Sequence, residues 1–214
     1  EIAQCLVGSE MCIRDRVGSV RMEAKNIGFA FCGSFCTMAR ALDTLEQLAG
    51  KYTQIWPIVS ETVASTDTRF GNSHDFMREM ERICGRRVIH TVAEAEPIGP
   101  RKLLDALVIC PCTGNTLAKL AHGVTDGTVT MAAKAHLRNG RPLVLALATN
   151  DGLAASAPNV GTMLGRKGVF FVPFRQDDCY EKPTSLVSDF SLTGDTLALA
   201  MQGKQYQPLL LGAK

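Results

Sequence analysis

The stretch Leu104–Thr116, LDALVICPCTGNT, constrains the fold more than any other part of the chain. Residues 106–110 are apolar throughout, which is typical of a strand buried on both faces of a parallel sheet. Pro111 is predicted to end this strand, because proline donates no hydrogen bond to a ladder. Small polar residues then lead into a helical pattern, LAKLAHGV. A parallel strand that ends in such a loop before a helix is where open α/β sheets bind ligands.

The loop itself, Thr113-Gly114-Asn115-Thr116, has the chemistry of a ligand site. Backbone amides at the start of a helix point outward, and the helix dipole favours an anion or an electron-rich ring edge. Asn115 adds both a donor and an acceptor. Taken alone, the loop is explained equally well as a strand-to-helix turn capped by Asn or Thr. The neighbouring strand ends decide between these two interpretations.

Strands and helices alternate along the rest of the chain. The patterns predict strands at 26–32, 53–59, 87–90, 106–110, 142–148 and 168–173, and helices at 37–49, 74–84, 116–122, 128–137, 159–166 and 193–201. Polar or proline-rich loops are predicted at 61–73, 94–102 and 174–185. This alternation predicts an α/β fold, with a doubly wound parallel sheet and right-handed crossovers. No repeat or linker interrupts it, so one domain is expected over residues 22–214.

Residues 1–21 carry no helical or strand period and no signal-peptide layout. The segment SEMCIRDR looks like translated sequencing-adapter read-through. We expect residues 1–21 to be non-native or disordered and the protein to start at Met22.

Composition excludes several classes of function. The net charge of +2 is too balanced, and 6% aromatic residues too few, for a nucleic-acid-binding surface. No apolar run approaches the ~18 residues that span a bilayer. The spacings Cys32/Cys36 and Cys110/Cys112 are not C-x-x-C, so no metal site is predicted. Reduced thiols in a cytoplasmic protein are the expectation.

Ligand-type residues follow four of the predicted strands. They are Gly33-Ser34, Ser60 with Thr62, Thr113–Thr116, and Thr149-Asn150-Asp151. Because the carboxyl ends of parallel strands share one edge of the sheet, these groups should converge there. The first turn, CGSFCT, lacks the full G-x-G-x-x-G fingerprint, and no G-K-[ST] follows a strand. Hydroxyls, amides and free N–H groups therefore favour a phosphate with one planar heterocycle, such as FMN.

A family resemblance adds to this interpretation. The segments that carry it, besides Gly33-Ser34, are STDTRFG, AEPIGP, PCTGNTLAKLA, VTMAAKAHLRNGRP, TNDGL, VPFRQDD and KPTSL. They resemble the flavin-containing cysteine decarboxylase superfamily, whose hallmark is a PASANT-type loop that touches the flavin. Within the superfamily, the chain is most similar to the family of B-type subunits of dipicolinate synthase. The similarity covers essentially residues 26–208.

The resemblance implies a flavodoxin-like or Rossmann-like sheet that binds FMN at an interface between protomers of a homo-oligomer. Gly33, Ser34 and Ser60 would hold the phosphate. Asn115 would lie near the isoalloxazine with Thr113 and Gly114, and it is the candidate catalytic residue, orienting substrate or flavin. The remaining candidate cofactor-binding residues are Phe35, Thr62, Pro111, Thr116, Thr149 and Asn150.

The implied activity is oxidation of a dihydrodipicolinate-type precursor to dipicolinate during sporulation, in the mother-cell cytoplasm. The A-type subunit of dipicolinate synthase, with its own nicotinamide-binding domain, would share the work. Arg175 and Lys182 would hold the two carboxylates of the substrate, since arginine pairs with carboxylates bidentately. Exposed loop charges are the alternative interpretation of both residues.

Two other functions stay open. One is a non-catalytic flavodoxin-like scaffold that stabilises the A-type subunit. The other, less favoured, is an FMN-dependent decarboxylase. Ala148-Thr149-Asn150 stands where the cysteine decarboxylases carry P-x-M-N, and Gln176–Cys179 replaces their Gly-rich clamp with its cysteine.

Four further polar residues are predicted to be structural. His90 is expected to be a half-buried histidine at a strand end. Cys112 should be a small packing residue, because nothing nearby in the sequence would lower its pKa. Asp126 and Asp151 are expected to cap helices.

Overall fold

The computed structural model describes residues 23–212, which form a seven-stranded sheet with helices on both faces. The strands are β1 (Glu23–Phe31), β2 (Tyr52–Val59), β3 (Ala106–Cys112), β4 (Leu143–Thr149), β5 (Val169–Phe171), β6 (Phe174–Asp178) and β7 (Lys182–Ser188). The helices are α1 (Met38–Ala49), α2 (Glu61–Ser65), α3 (Ser73–Cys84), α4 (Val92–Ala95), α5 (Gly114–His122), α6 (Thr128–Leu137), α7 (Ala157–Leu164) and α8 (Thr193–Ala200). The expectation for residues 1–21 lies outside the described residues.

The first five strands run parallel in the order β2–β1–β3–β4–β5. This is the strand order of flavodoxin-like sheets. β2 is added on one side of β1, and β3 and the strands after it are added on the other side, so the order of the strands reverses between β1 and β3. A crevice opens outside the carboxyl ends of the strands at such a reversal, which places the loops after β1 and β3 at its centre. The predicted α/β class and doubly wound parallel sheet are confirmed.

The last two strands form an antiparallel hairpin that the sequence analysis missed. β6 and β7 pair antiparallel, and β7 also pairs antiparallel with Ala148 and Thr149 at the carboxyl end of β4. The prediction of a polar loop over 174–185 was therefore wrong. β6, FRQDD, is only partly buried, so its composition is that of a solvated edge strand. The hairpin borders the carboxyl edge of the parallel sheet.

The central strand also extends further than predicted. β3 passes through Pro111 and pairs again at Cys112 with Leu147 of β4, after an irregular register that starts at Ile109. A register irregularity accommodates a residue that cannot donate to the ladder. The loop thus begins at Thr113 rather than at Pro111.

Two shorter differences concern the segments after β2. The predicted strand 87–90 makes only an isolated bridge, between Ile89 and Ile58. The predicted loop 61–73 begins instead with α2, because Ser60 caps this helix by accepting a hydrogen bond from Val63 N at 3.4 Å.

The two faces of the sheet carry separate apolar cores. One core packs the side chains of Phe29 and Phe31 against α1, α3 and α8. The other packs Ile109 and Leu145 against α5, α6 and α7. Both faces of the parallel strands are therefore covered, and the open part of the sheet is its edges. No helix among the described residues combines the length and the apolar character needed to cross a bilayer.

Candidate functional site

The loops that follow β1, β2, β3 and β4 meet at the carboxyl edge and line one cleft with two lobes. The large lobe has a volume of about 780 Å³ and is bordered by the β6–β7 hairpin. The small lobe has a volume of about 230 Å³ and lies between the starts of α2, α5 and α6. Gly33, Thr113 and Asn115 line both lobes. The predicted convergence of four strand ends is thus present.

Nearly all residues predicted from the sequence to bind a cofactor line this cleft. Ser34, Phe35, Gly114, Thr149 and Asn150 line the large lobe. The small lobe is lined by Ser60, Thr62 and Thr116. Pro111 lies inside β3 and lines neither lobe.

Of the two predicted substrate residues, one lines the cleft and the other does not. Lys182 lines the large lobe, where its ammonium contacts the carboxylate of Asp177 at 2.7 Å. Arg175 does not line the cleft; its guanidinium donates to Asp189 at 2.9 Å. The structure therefore brings Lys182, and not Arg175, to the site.

The N-terminus of α5 opens into the cleft. Thr113 is its N-cap, and its hydroxyl accepts a hydrogen bond from Thr116 N at 3.2 Å. The first amides of a helix have no acceptor within the helix. The amides of Gly114 and Asn115 are thus available to an anion or a ring edge, supported by the dipole of a nine-residue helix.

Gly114 marks a close approach between the loops after β3 and β4. A Cβ atom at this position would lie 2.7 Å from Thr149 Oγ1, 2.8 Å from Ser156 Oγ and 2.9 Å from Asp151 Oδ1. Thr149 and Ser156 both donate hydrogen bonds to Asp151 Oδ1. Only glycine fits here without displacing this network, so the two loops are held in a fixed relation.

Asp151 and Asp126 were predicted to cap helices, and neither does. The N-cap position of α7 is Ser156, and Asp151 instead accepts the two hydroxyl hydrogen bonds just described. The N-cap position of α6 is Gly127, and Asp126 pairs with Lys119 at 2.9 Å. The hydrogen bond from Lys119 lowers the pKa of Asp126 below its usual value. Both aspartates have partners in space that their sequence positions do not reveal.

Glu61 ties the small lobe to α6. Its carboxylate Oε1 accepts from Thr128 N and Thr128 Oγ1, both at 2.7 Å. Lys119 also lines this lobe and faces Asp126. The small lobe therefore combines a helix N-terminus, hydroxyl groups and one ammonium with a carboxylate whose hydrogen bonds point to α6.

The large lobe carries cationic side chains that the sequence analysis did not single out. Arg40 of α1 and Arg69 of the loop before α3 both line it, together with Phe70. The guanidinium of Arg40 lies 5.3 Å from the ring centroid of Phe190, and that of Arg69 lies 4.8 Å from the ring centroid of Phe70. Within residues 23–212, neither guanidinium forms an ion pair. The only signal in the sequence was the segment STDTRFG, which contains Arg69 and Phe70.

Cys112 and His90 lie outside the cleft, whereas the exposed Cys36 lines its large lobe. Cys112 is fully buried in the core, and burial raises the pKa of its thiol well above the ordinary value. This agrees with its predicted packing role. The side chain of His90 is 44% exposed, contacts Glu94 at 3.4 Å and lines neither lobe. No group of His, Cys, Asp and Glu side chains in the described part of the chain has an arrangement suited to a metal ion.

Comparison with known proteins agrees with this architecture. The family profile named Flavoprotein matches residues 17–183. The B-type subunit of dipicolinate synthase from Bacillus subtilis (strain 168) is 40% identical over 190 residues, which cover 89% of this chain and 95% of that protein. The crystal structure of the same type of subunit from Bacillus halodurans superposes with a TM-score of 0.81 at 39% identity, over 88% of this chain and 96% of that one.

A more distant structure shares the fold alone. The FMN-dependent cysteine decarboxylase SpaF superposes with a TM-score of 0.61 at 22% identity, over 85% of this chain and 99% of its own.

Proposed function

The chain belongs to the flavoprotein family and, within it, to the family of B-type subunits of dipicolinate synthase, and on that premise we propose that it binds FMN in the two-lobed cleft. Together with the A-type subunit of dipicolinate synthase, it would contribute to oxidation of a dihydrodipicolinate-type precursor to dipicolinate. The proposed setting is the mother-cell cytoplasm of a sporulating bacterium, with the chain assembled as a homo-oligomer. The observation that carries the proposal is the meeting of four strand-end loops around one cleft.

The small lobe has the chemistry of a phosphate site. Asn115, at the N-terminus of α5, offers its amide, and Ser60 and Thr62 add hydroxyl groups. Helix N-termini favour phosphate through both free N–H groups and the dipole. Gly33 joins the two lobes, and Ser34 follows it on the large-lobe side. These residues would hold the FMN phosphate at the junction.

The large lobe suits a planar heterocycle. Its volume of about 780 Å³ is within the range of small-molecule sites. Asn115 and Asn150 offer amide donors and acceptors to the polar edges of a ring, and Phe35 and Leu186 supply apolar surface. Because Gly114 has no side chain, the loops after β3 and β4 approach each other closely at this lobe. FMN, when bound, supplies a two-electron acceptor.

The chain's own residues would bind and orient the substrate beside the flavin. Asn115 is placed to hydrogen-bond either ring. Lys182 stays protonated, because its hydrogen bond with Asp177 raises the pKa of the ammonium, and it would contact a substrate carboxylate. Arg175 pairs with Asp189 and does not line the cleft, so the proposed site does not include it.

The scaffold function is a second candidate, on one observation. The carboxylates of Asp151 and Asp177, which line the large lobe, already have partners: Asp151 accepts from Thr149 and Ser156, and Asp177 contacts Lys182. Among the described residues, neither carboxylate of this lobe is therefore free to act as a general base. A chain that only stabilised the A-type subunit would be expected to look the same.

The first experiment is a visible absorption spectrum of the purified chain, followed by reconstitution with the A-type subunit. The protein should be yellow and release FMN on denaturation, and adding it should raise dipicolinate output. Asn115→Ala should lower that output by about tenfold without abolishing association with the A-type subunit. The matched control is Asn139→Ala, whose side chain donates to Gly99 O outside the cleft.

A colourless protein that leaves dipicolinate output unchanged would refute the proposal. The scaffold function would be favoured if Asn115→Ala matched the wild type while variants that cannot associate with the A-type subunit were inactive.

A further inference from the structure

We propose that the turn Thr68–Gly71 is the substrate-recognition element of the large lobe, with Arg69 binding one carboxylate of a planar heterocyclic dicarboxylate and Phe70 packing against its ring. Arg40, on α1, would bind the other carboxylate together with Lys182, which lines the same lobe. This inference rests on the proposed function, because it names the residues that would select its substrate class.

The turn is built to hold its two central residues in place. Thr68 N donates to Gly71 O at 3.0 Å, and Gly71 N donates to Thr68 O at 3.1 Å. Gly71 adopts a φ of +145°, which side chains with a Cβ rarely allow. Arg69 and Phe70 form the tip of the turn, beyond the two hydrogen bonds between Thr68 and Gly71.

The base of the turn is fastened to α3. The carboxylate of Asp67 accepts from Ser73 N, Ser73 Oγ and Asn72 Nδ2, each at 2.9 Å. Asn72 is also the N-cap of α3 and accepts from His74 N at 2.9 Å. An exposed loop with this many hydrogen bonds loses little conformational entropy when it meets a ligand.

Phe70 is the apolar part of the element. Its side chain lines the large lobe and is 53% exposed. Arg69 stacks on it, with the guanidinium carbon 4.8 Å from the ring centroid. Stacking fixes the guanidinium plane and leaves its N–H donors free for a carboxylate.

The charged side chains that line the lobe sum to +1, and its unpaired cations favour an anionic ligand. Asp177 is paired with Lys182, and Asp151 accepts two hydroxyl hydrogen bonds. Arg40 and Arg69 have no ion pair within the part of the chain that the structure describes. Two unpaired guanidinium groups in one cavity match the two carboxylates of a single ligand, because each pairs bidentately with a carboxylate.

The position of these guanidinium groups argues against a role in binding the FMN phosphate. Both line the large lobe and neither lines the small lobe, where the N-terminus of α5 and the hydroxyl groups gather. A phosphate at Arg69 would leave the hydroxyl groups of Ser60 and Thr62 in the small lobe without a ligand.

The test is isothermal titration calorimetry of the full chain with pyridine-2,6-dicarboxylate and with pyridine-2-carboxylate, with FMN present and absent. Arg69→Gln should weaken binding of the diacid at least about tenfold and bring it close to that of the monoacid. Phe70→Ala should weaken both acids. The matched control is Arg78→Gln, an exposed arginine of α3 that pairs with Asp75 and lines neither lobe.

Separate titrations with FMN and riboflavin complete the design. Arg69→Gln should leave both flavin affinities within about twofold of the wild type, because the phosphate is held in the other lobe. Unchanged diacid binding in both Arg69→Gln and Phe70→Ala would overturn the inference. So would a loss of FMN affinity in Arg69→Gln without a loss of riboflavin affinity. Calorimetry measures binding of the diacid whether or not FMN is present. A wild-type chain that binds the diacid but no FMN would therefore refute the proposed function and leave this inference standing.

Discussion

One cavity lies at the carboxyl ends of the parallel strands and another at their amino ends. The first is lined by the N-terminus of a helix and the second by the C-terminal half of a helix. At the carboxyl edge, the cleft is lined by small polar residues and by the N-terminus of α5. At the amino edge, a groove of about 490 Å³ lies between the 96–102 turn and the C-terminal half of α6. Both cavities are large enough for a ligand. Of the two, the carboxyl-edge cleft presents free N–H groups and the positive end of a helix dipole.

The cations at the amino-edge groove have a local explanation. Lys134 and Arg138 stand at the end of α6, where positive side chains offset the negative end of the dipole. Other side chains there fasten the chain: Asn139 donates to Gly99 O at 3.0 Å, and Arg141 donates to Lys102 O at 3.1 Å. The amino edge therefore carries contacts that stabilise the fold, whereas the carboxyl edge is the one to which the proposed function assigns ligand binding.

The largest expected effect is acid destabilisation through His136, at the amino-edge end of α6. His136 is fully buried; Nε2 donates to Pro142 O at 2.9 Å, and Nδ1 has no partner among the described residues. Burial lowers the pKa of this imidazole to about 4. Because the folded pKa is below that of the unfolded chain, the stabilisation is complete above about pH 6.5 and is lost as the pH falls toward 4. The loss should total about 3 kcal/mol.

Chemical denaturation at a series of pH values between neutrality and the folded pKa measures this effect. His136→Gln serves as the control and should flatten the dependence of the unfolding free energy on pH. Equal slopes for the wild type and His136→Gln would show that this histidine is not the source.

The next prediction compares one glycine substitution at each edge, by its effect on stability and on flavin affinity. A Cβ at Gly99 would lie 3.0 Å from Ala135 O, and a Cβ at Gly114 would lie 2.7 Å from Thr149 Oγ1. Each alanine variant should therefore lose about 1–3 kcal/mol of stability through overpacking. Of the two variants, Gly114→Ala should also weaken FMN binding, by at least about tenfold. Equal flavin affinities, titrated at a temperature where both variants are folded, would remove the distinction between the edges.

The sequence alone could locate the loops of the cleft but not the side chains that complete it. Thr113–Thr116 and Ser60 follow strands directly, so the rule that carboxyl ends share an edge is enough to bring them together. Arg40 and Phe70 reach the same lobe from a helix face and from a turn. Their positions depend on how α1 and α3 pack, which no local pattern encodes.

Two differences between the sequence predictions and the structure have the same physical origin. Arg175 carried the charge expected of a substrate residue, but β6 presents it to Asp189, 14 positions away in the sequence. The hairpin that contains it was predicted to be a loop because a half-exposed edge strand need not be apolar. Long-range pairing decided both outcomes.

A smaller effect is expected from Glu61→Gln, within the carboxyl edge itself. Glu61 links the small lobe to Thr128 through two hydrogen bonds of 2.7 Å, so the substitution should cost about 1 kcal/mol of stability. Affinity for FMN should rise by about two- to threefold, because a negative charge leaves the proposed phosphate lobe. Riboflavin affinity should not change. Parallel fluorescence titrations with both flavins measure this, and an FMN affinity equal to that of the wild type would place the phosphate elsewhere.

The smallest effect should come from Lys134→Ala at the amino-edge groove. Lys134 is exposed, and its contact with Thr125 Oγ1 is long, at 3.5 Å. Stability should change by no more than about 0.5 kcal/mol, and FMN binding should be that of the wild type. Weaker FMN binding in this variant would assign the amino-edge groove a part in ligand binding and contradict the comparison.

The most direct measurement is a crystal structure of the chain grown with FMN. We expect the phosphate in the small lobe, within hydrogen-bond distance of the Gly114 or Asn115 amide and of Ser60, with the ring system in the large lobe beside Asn150. Flavin density in the amino-edge groove, or none in the carboxyl-edge cleft of crystals that contain stoichiometric flavin, would contradict the account.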